Sequence, residues 1–220
     1  TVTIGANLND KKFDVAVGLA LHEASHIKLT DFNSLKNLEN NIPAELYVLG
    51  EGKGIFRNEV INLVKSLLNY VEDRRIDNYI FTTSPGYKGY YHSMYDKYFY
   101  SKNVDKGLLS SEMRMENIES YMFRIINLHN RNRQLGALTG LKEIFSLIGL
   151  RNIARLTSTS EAFDVAVKVG NVILKSIDKV EVEENEDGNS DENTNGMNGE
   201  SGDGESGNSS GDDENNDNTL

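Results

Sequence analysis

The sequence predicts a mainly α-helical domain with a small β component, followed by a disordered acidic segment. Three observations carry this reading. Apolar residues recur three and four apart over several long runs, the period of a helix buried along one side. Strand-like alternation is confined to the first few residues. Residues 181–220 are Gly, Asn, Ser, Asp and Glu with almost nothing apolar, a composition that buries too little surface to offset its chain entropy.

In chain order, "TVTIGANL" alternates Val2 and Ile4 with Thr1 and Thr3 and ends at Gly5, a short strand. Asn9 or Asp10 caps a helix over about residues 11–29. Residues 30–57 read as mixed, with Pro43, Gly50, Gly52 and Gly54 marking turns. A long helix follows over about 58–81, apolar at Ile61, Val64, Leu68, Ile76 and Ile80. Residues 82–106 interrupt the period with Pro85, Gly86, Gly89 and six tyrosines. Ser110 or Ser111 opens a further helix with Met115, Ile118, Met122 and Ile125 on one stripe, and a shorter one lies within 139–149. The last begins at Ser158, where Ser158-Thr159-Ser160-Glu161 forms a capping box, and ends near residue 180. The domain therefore spans 1–180, and 181–220 is a linker or tail.

The formal net charge of −11 divides unevenly: residues 181–220 hold 14 of the 34 acidic residues and no Lys or Arg. Residues 1–180 are left with 20 acidic against 23 basic residues, a weakly basic domain without the clustered, aromatic-interleaved Arg and Lys of a nucleic-acid surface. Arg74-Arg75 and Arg131/Arg133 read as helix-surface solvation. No nucleic-acid partner is expected. The absence of cysteine excludes disulfides and thiolate-bound zinc. No run approaches the roughly 18 apolar residues of a membrane span, and no signal peptide is visible, so the expected location is the cytoplasm.

The chemistry concentrates in "GLALHEASHIKLTDF", residues 18–32. Residues 22 and 26 project from one helical face, one turn apart, so His22 and His26 can reach one zinc through imidazole nitrogens. Glu23 lies one residue on, placed to take a proton from water held by the metal. The bland alternative is a core helix whose histidines bond to backbone. A catalytic zinc needs a third protein ligand and an open position. The longer pattern with Gly and a third His fails, because Leu29 and Phe32 occupy those positions. A carboxylate from the second long helix is the remaining route, Glu72 or Asp73. Glu72 has Leu68 and Ile76 four residues to either side, on the core-facing stripe, whereas Asp73 has Asn69 and Asp77. An unpaired carboxylate on a buried stripe is costly, and a metal is one of the few partners that stabilises it. Glu72 is accordingly the expected third ligand, set against pairing with Arg75 or Arg74.

His-Glu-x-x-His followed by a glutamate on a later helix resembles the gluzincin arrangement of zinc metallopeptidases, although Ile76 stands where their second motif has Asp. The run Asn69-x-x-Glu72-Asp73-x-Arg75-x-Asp77, with "HEASH" before it and an acidic tail after, looks more like the metallopeptidase domains that precede a von Willebrand factor A domain. These include relatives of the cobaltochelatase subunit of that layout, some encoded by phages beside a MoxR-type AAA+ ATPase. The resemblance implies a zincin-like domain, Zn2+ as cofactor, an A domain beyond residue 220, an ATPase partner, and a bacterial or phage-infected host cell. It leaves Asp73 or Asp77 to orient His22, with Asn69 on the same helix.

The expected reaction is hydrolysis of a peptide or protein substrate by a zinc-polarised water, with His22, His26 and Glu72 on the metal and Glu23 as general base. Tyr87, Tyr90, Tyr91 or His92 in the segment after the Glu72 helix are candidates to stabilise an oxyanion, against the reading that they simply pack. His129 falls on the stripe of Met122 and Ile125 and is expected to be a core histidine with a satisfied hydrogen bond. The competing function is a non-proteolytic assembly module with a structural metal site, serving the ATPase machine.

Overall fold

The computed structural model describes residues 10–179. The strand expected at residues 1–4 and the acidic segment expected to be disordered at 181–220 lie outside the described residues. Within them the chain is mainly helical and no strand occurs.

Eleven α-helices are found among the described residues: α1 (Asp10–Leu29), α2 (Phe32–Leu35), α3 (Leu38–Asn41), α4 (Ala44–Gly52), α5 (Arg57–Thr83), α6 (Lys88–Tyr98), α7 (Lys102–Leu109), α8 (Ile118–Ile126), α9 (Leu141–Ile148), α10 (Leu150–Ile153) and α11 (Thr159–Ser176). The long central helix α5 organises the rest. One side packs against α4 and α11 around Val60, Val64, Leu67 and Leu68 of α5 and Ala166, Val169 and Ile173 of α11. Its C-terminal half meets α1 and α6, where Tyr91, Met94 and Tyr95 form a smaller core with Leu19, Leu21, Ile80 and Phe81.

The segment 82–106, expected to be irregular, is largely helical. A 3-10 turn at Pro85–Tyr87 starts the chain into α6, and α7 follows. Pro85 is at home in such a first turn, where its missing N–H costs nothing. The helix is held by Tyr91 and Tyr95, four residues apart on its buried face. Gly18 sets how closely α1 and α6 approach: a Cβ there would lie 2.5 Å from the Tyr90 carbonyl oxygen. Residues 30–57, expected to be mixed, resolve into the short helices α2 to α4 with turns between them, one at Gly54, whose φ is 77°. The helix expected from Ser110 or Ser111 starts later, where Asn117 accepts from the Ser120 N–H as N-cap of α8. The capping box at Ser158 forms in a shifted way: Ser158 Oγ accepts from the Glu161 N–H, while the Glu161 carboxylate reaches back to Thr157.

Candidate metal centre

α1 and α5 face each other through two pairs of residues, each pair spaced by four. His22 Nδ1 lies 2.9 Å from Asp77 Oδ1, and His26 Nε2 lies 3.1 Å from Asp73 Oδ1. As α1 advances from His22 to His26, its partner on α5 steps back from Asp77 to Asp73, so the helices run in opposite directions here. His22 Nε2 is also 3.7 Å from Asp73 Oδ1. One ligand atom from each of His22, His26 and Asp73 lies within 4.8 Å of the other two, and this group could hold a metal ion. Ligands on one tetrahedral ion at about 2.1 Å stand roughly 3.4 Å apart, and the two distances to Asp73 bracket that value.

The hydrogen bonds behind the imidazoles decide which ring nitrogen carries the proton. The Asp77 carboxylate accepts, so His22 Nδ1 is the donor and Nε2 turns toward Asp73. Asp77 is itself held from behind: the Tyr95 hydroxyl donates to Oδ2, and Arg74 lies 3.4 Å from the same oxygen. Burial pushes the Tyr95 phenol up, with the Asp77 charge adding to it, so it stays a neutral donor. For His26, Nδ1 lies 3.0 Å from Thr30 Oγ1, and Thr30 Oγ1 donates to Glu72 Oε1 at 2.9 Å. A hydroxyl has one proton; since Thr30 gives its own to Glu72, it accepts from His26 Nδ1–H. Both rings thus aim an Nε2 lone pair at the Asp73 carboxylate. Three electron-pair donors converging in a half-buried place call for a cation among them. In the metal-free protein a proton supplies it. Burial of His22 opposes the charge, but the hydrogen bonds and negative charges of Asp73 and Asp77 outweigh it and raise its pKa to about 10. Asp73 is held below the usual carboxylate range by the same contacts, against its burial.

Glu72, the expected third ligand, is buried as its stripe position implies, at 3% exposure. Its carboxylate is turned to other partners. Arg75 grips it with Nε at 2.8 Å and a terminal nitrogen at 2.6 Å, and Thr30 and Thr159 each donate to Oε1 at 2.9 Å. The desolvation that would raise its pKa is outweighed by these bonds, which lower it. Arg75 lies three residues on, on the same helical face, so the guanidinium stabilises the buried charge without a metal. Arg75 also donates to the Leu29 carbonyl, and Thr159 Oγ1 accepts from the Asp31 N–H. Glu72 therefore ties the end of α1 to the start of α11, and reaches His26 only through Thr30.

The remaining candidates are dispersed. Glu23 is exposed, beside His22 on α1, and no hydrogen-bond or ion-pair partner engages it among the described residues. Asn69 is exposed and lines a cavity next to His26 rather than backing an imidazole. Tyr91 is fully buried, its hydroxyl 3.5 Å from Ser25 Oγ between the two histidines. Tyr87 is exposed, Tyr90 is half-buried with its carbonyl under Gly18, and His92 stands edge-on against Phe81 of α5, lining a cavity with Asp77 and Tyr95. Tyr95 and Thr30 were not among the expected site residues. Each lies four residues from one that was, Tyr91 and His26, which is the signal that could have found them.

Comparisons with protein-family models, curated proteins and solved structures return no match to this chain. Among the described residues no helix is long and apolar enough to cross a membrane.

Proposed function

We propose that this domain is a zinc-dependent hydrolase of peptide bonds, with His22, His26 and Asp73 as the protein ligands. The single observation that carries the reading is the convergence of two Nε2 atoms and a carboxylate, each imidazole secured through Nδ1 to a separate acceptor. Two imidazoles and one carboxylate suit zinc, as they also suit the other imidazole-binding transition metals such as iron. Zinc in such a site supplies Lewis acidity, polarising a carbonyl and lowering the pKa of water. The chain's own residues do the rest. Asp77 and the Thr30–Glu72 pair hold the two rings in the tautomer and orientation that present Nε2. Glu23, exposed and next to His22 in α1, is assigned to take the proton from the attacking water and return it to the departing amine. Zinc is chosen over the harder cations because magnesium and calcium favour all-oxygen ligand sets.

Glu23→Gln tests the assignment. The amide keeps the shape but cannot accept a proton at neutral pH, so zinc content and folding should persist while peptide hydrolysis falls by about a hundredfold or more. Undiminished hydrolysis by Glu23→Gln would refute the mechanism. Wild-type protein that holds zinc but cleaves no member of a broad peptide library would instead favour a structural metal in an assembly module.

A further inference from the structure

Next to His26, on the side away from His22, the chain leaves a cavity of about 270 Å³. Its walls are apolar: Phe32 and Leu35 of α2, Leu38 of α3 and Leu68 of α5. Lys65 and Asn69, both exposed, stand on α5 at its edge, and His26 itself forms part of the lining. The volume falls just below the roughly 300–1,000 Å³ of small-molecule sites, which suits one large side chain rather than a whole ligand.

We propose that this cavity receives an uncharged aliphatic side chain, such as leucine or methionine, from the peptide residue beside the scissile bond. The proposal rests on the peptidase reading for the identity of its occupant. The chemistry of the walls supports it independently. Glu72 also borders the cavity, but its carboxylate is saturated by Arg75, Thr30 and Thr159, so it offers no free acceptor to a lysine or arginine. Lys65 at the edge repels a cationic side chain further. An acidic side chain would meet Lys65 only at the edge, and seated inside it would hold its charge against Leu35, Leu38 and Leu68, a costly burial. Phe32, half exposed at 52%, gives an entering aliphatic group apolar surface to cover. A side chain seated there lies beside His26, so the backbone that carries it passes the metal ligands.

Two measurements test this separately from the peptidase reading. In the first, the zinc-loaded protein labelled at leucine methyls is titrated with N-acetyl-leucinamide, N-acetyl-lysinamide and N-acetyl-aspartamide. The leucine compound is expected to shift the methyl signals of Leu35, Leu38 and Leu68 and the other two to leave them in place. Leu35→Arg, at a half-buried wall position, should abolish those shifts while zinc content and thermal midpoint persist. In the second, a peptide library varied at the residues flanking the scissile bond should show leucine or methionine preferred over lysine and aspartate at one position, by about tenfold or more in kcat/KM. Leu35→Arg should reduce that preference. Methyl shifts without any cleavage would keep the pocket and sink the peptidase reading. Cleavage without leucine preference, or leucinamide binding that leaves the three methyls unmoved, would overturn the pocket.

Discussion

Asp77 on α5 holds Nδ1 of His22 on α1 at 2.9 Å, and does so while itself accepting the Tyr95 hydroxyl and lying beside Arg74. An ionised carboxylate can only accept, so this contact leaves Nε2 of His22 facing Asp73 in the candidate metal centre. Asp77→Asn keeps the volume but lets an amide N–H face Nδ1, which favours the other tautomer. Zinc affinity should fall by about 10–100-fold, read by competition with a chelating dye. An unchanged affinity would remove Asp77 from the positioning role.

Glu72 and Asp73 are neighbours with opposite expected phenotypes. Asp73→Ala should weaken zinc by more than the roughly 10–100-fold typical of an outer partner, with little loss of fold. Glu72→Gln should lower unfolding free energy by about 3–5 kcal/mol, because it leaves the buried Arg75 charge without its counter-ion. Thr30→Val severs the link from Glu72 to His26 but keeps the ion pair, and so should weaken zinc modestly at nearly full stability. Isothermal titration and urea unfolding on the three variants check this. Loss of zinc in Glu72→Gln at unchanged stability would make Glu72 a ligand after all.

His129 lines a cavity with Arg74 and Asp77, its buried Nε2 has no hydrogen-bond partner among the described residues, and it gives a pH dependence of its own. Burial, with the nearby charges of Arg74 and Arg133 adding to it, lowers its pKa to about 4. The folded protein therefore resists a proton that the unfolded chain accepts near 6.5. Its contribution is fully present above about 6.5 and is lost as pH falls through the window down to about 4, a change on the order of 3 kcal/mol at the bottom. Urea unfolding of wild type and His129→Gln in chelator, from pH 7.5 to 4, should show the difference between them shrink as pH falls. Parallel curves would show that His129 titrates alike in both states.

Gly18 is a packing position on the helix that carries the histidines. With 2.5 Å between a new Cβ and the Tyr90 carbonyl oxygen, Gly18→Ala must part α1 from α6. Overpacking of this kind costs about 1–3 kcal/mol, and it should weaken zinc through displacement of α1. A thermal midpoint at or above wild type would show that the helices give way freely.

The histidine pair was legible because a four-residue spacing on one helix is a local property. The burial of Glu72 was legible for the same reason, from Leu68 and Ile76. Which of two adjacent carboxylates meets the histidines was not. That depends on how α5 is rotated against α1, a relation between segments some fifty residues apart that periodicity within either helix leaves undetermined. The competing partner of Glu72, Arg75, was visible at the right spacing. The two threonines that complete its shell come from α11 and from the residue after α1, and only the folded chain brings them in. The helical state of residues 88–98 was masked by Pro85, Gly86 and Gly89, which break a composition-based reading although they sit at or before the first turn.

The facing pairs His22/His26 and Asp73/Asp77 also act as a vernier between two helices. Sliding α1 along α5 by one residue moves its side chains about 1.5 Å along the axis and about 100° around it, which breaks both contacts together. A slide of one full turn, about 5.4 Å, restores one of them, with His22 opposite Asp73 or His26 opposite Asp77. A one-residue creep thus forfeits both contacts and a whole-turn step forfeits one, so the seam favours discrete registers over continuous sliding, and only one notch presents both imidazoles at once.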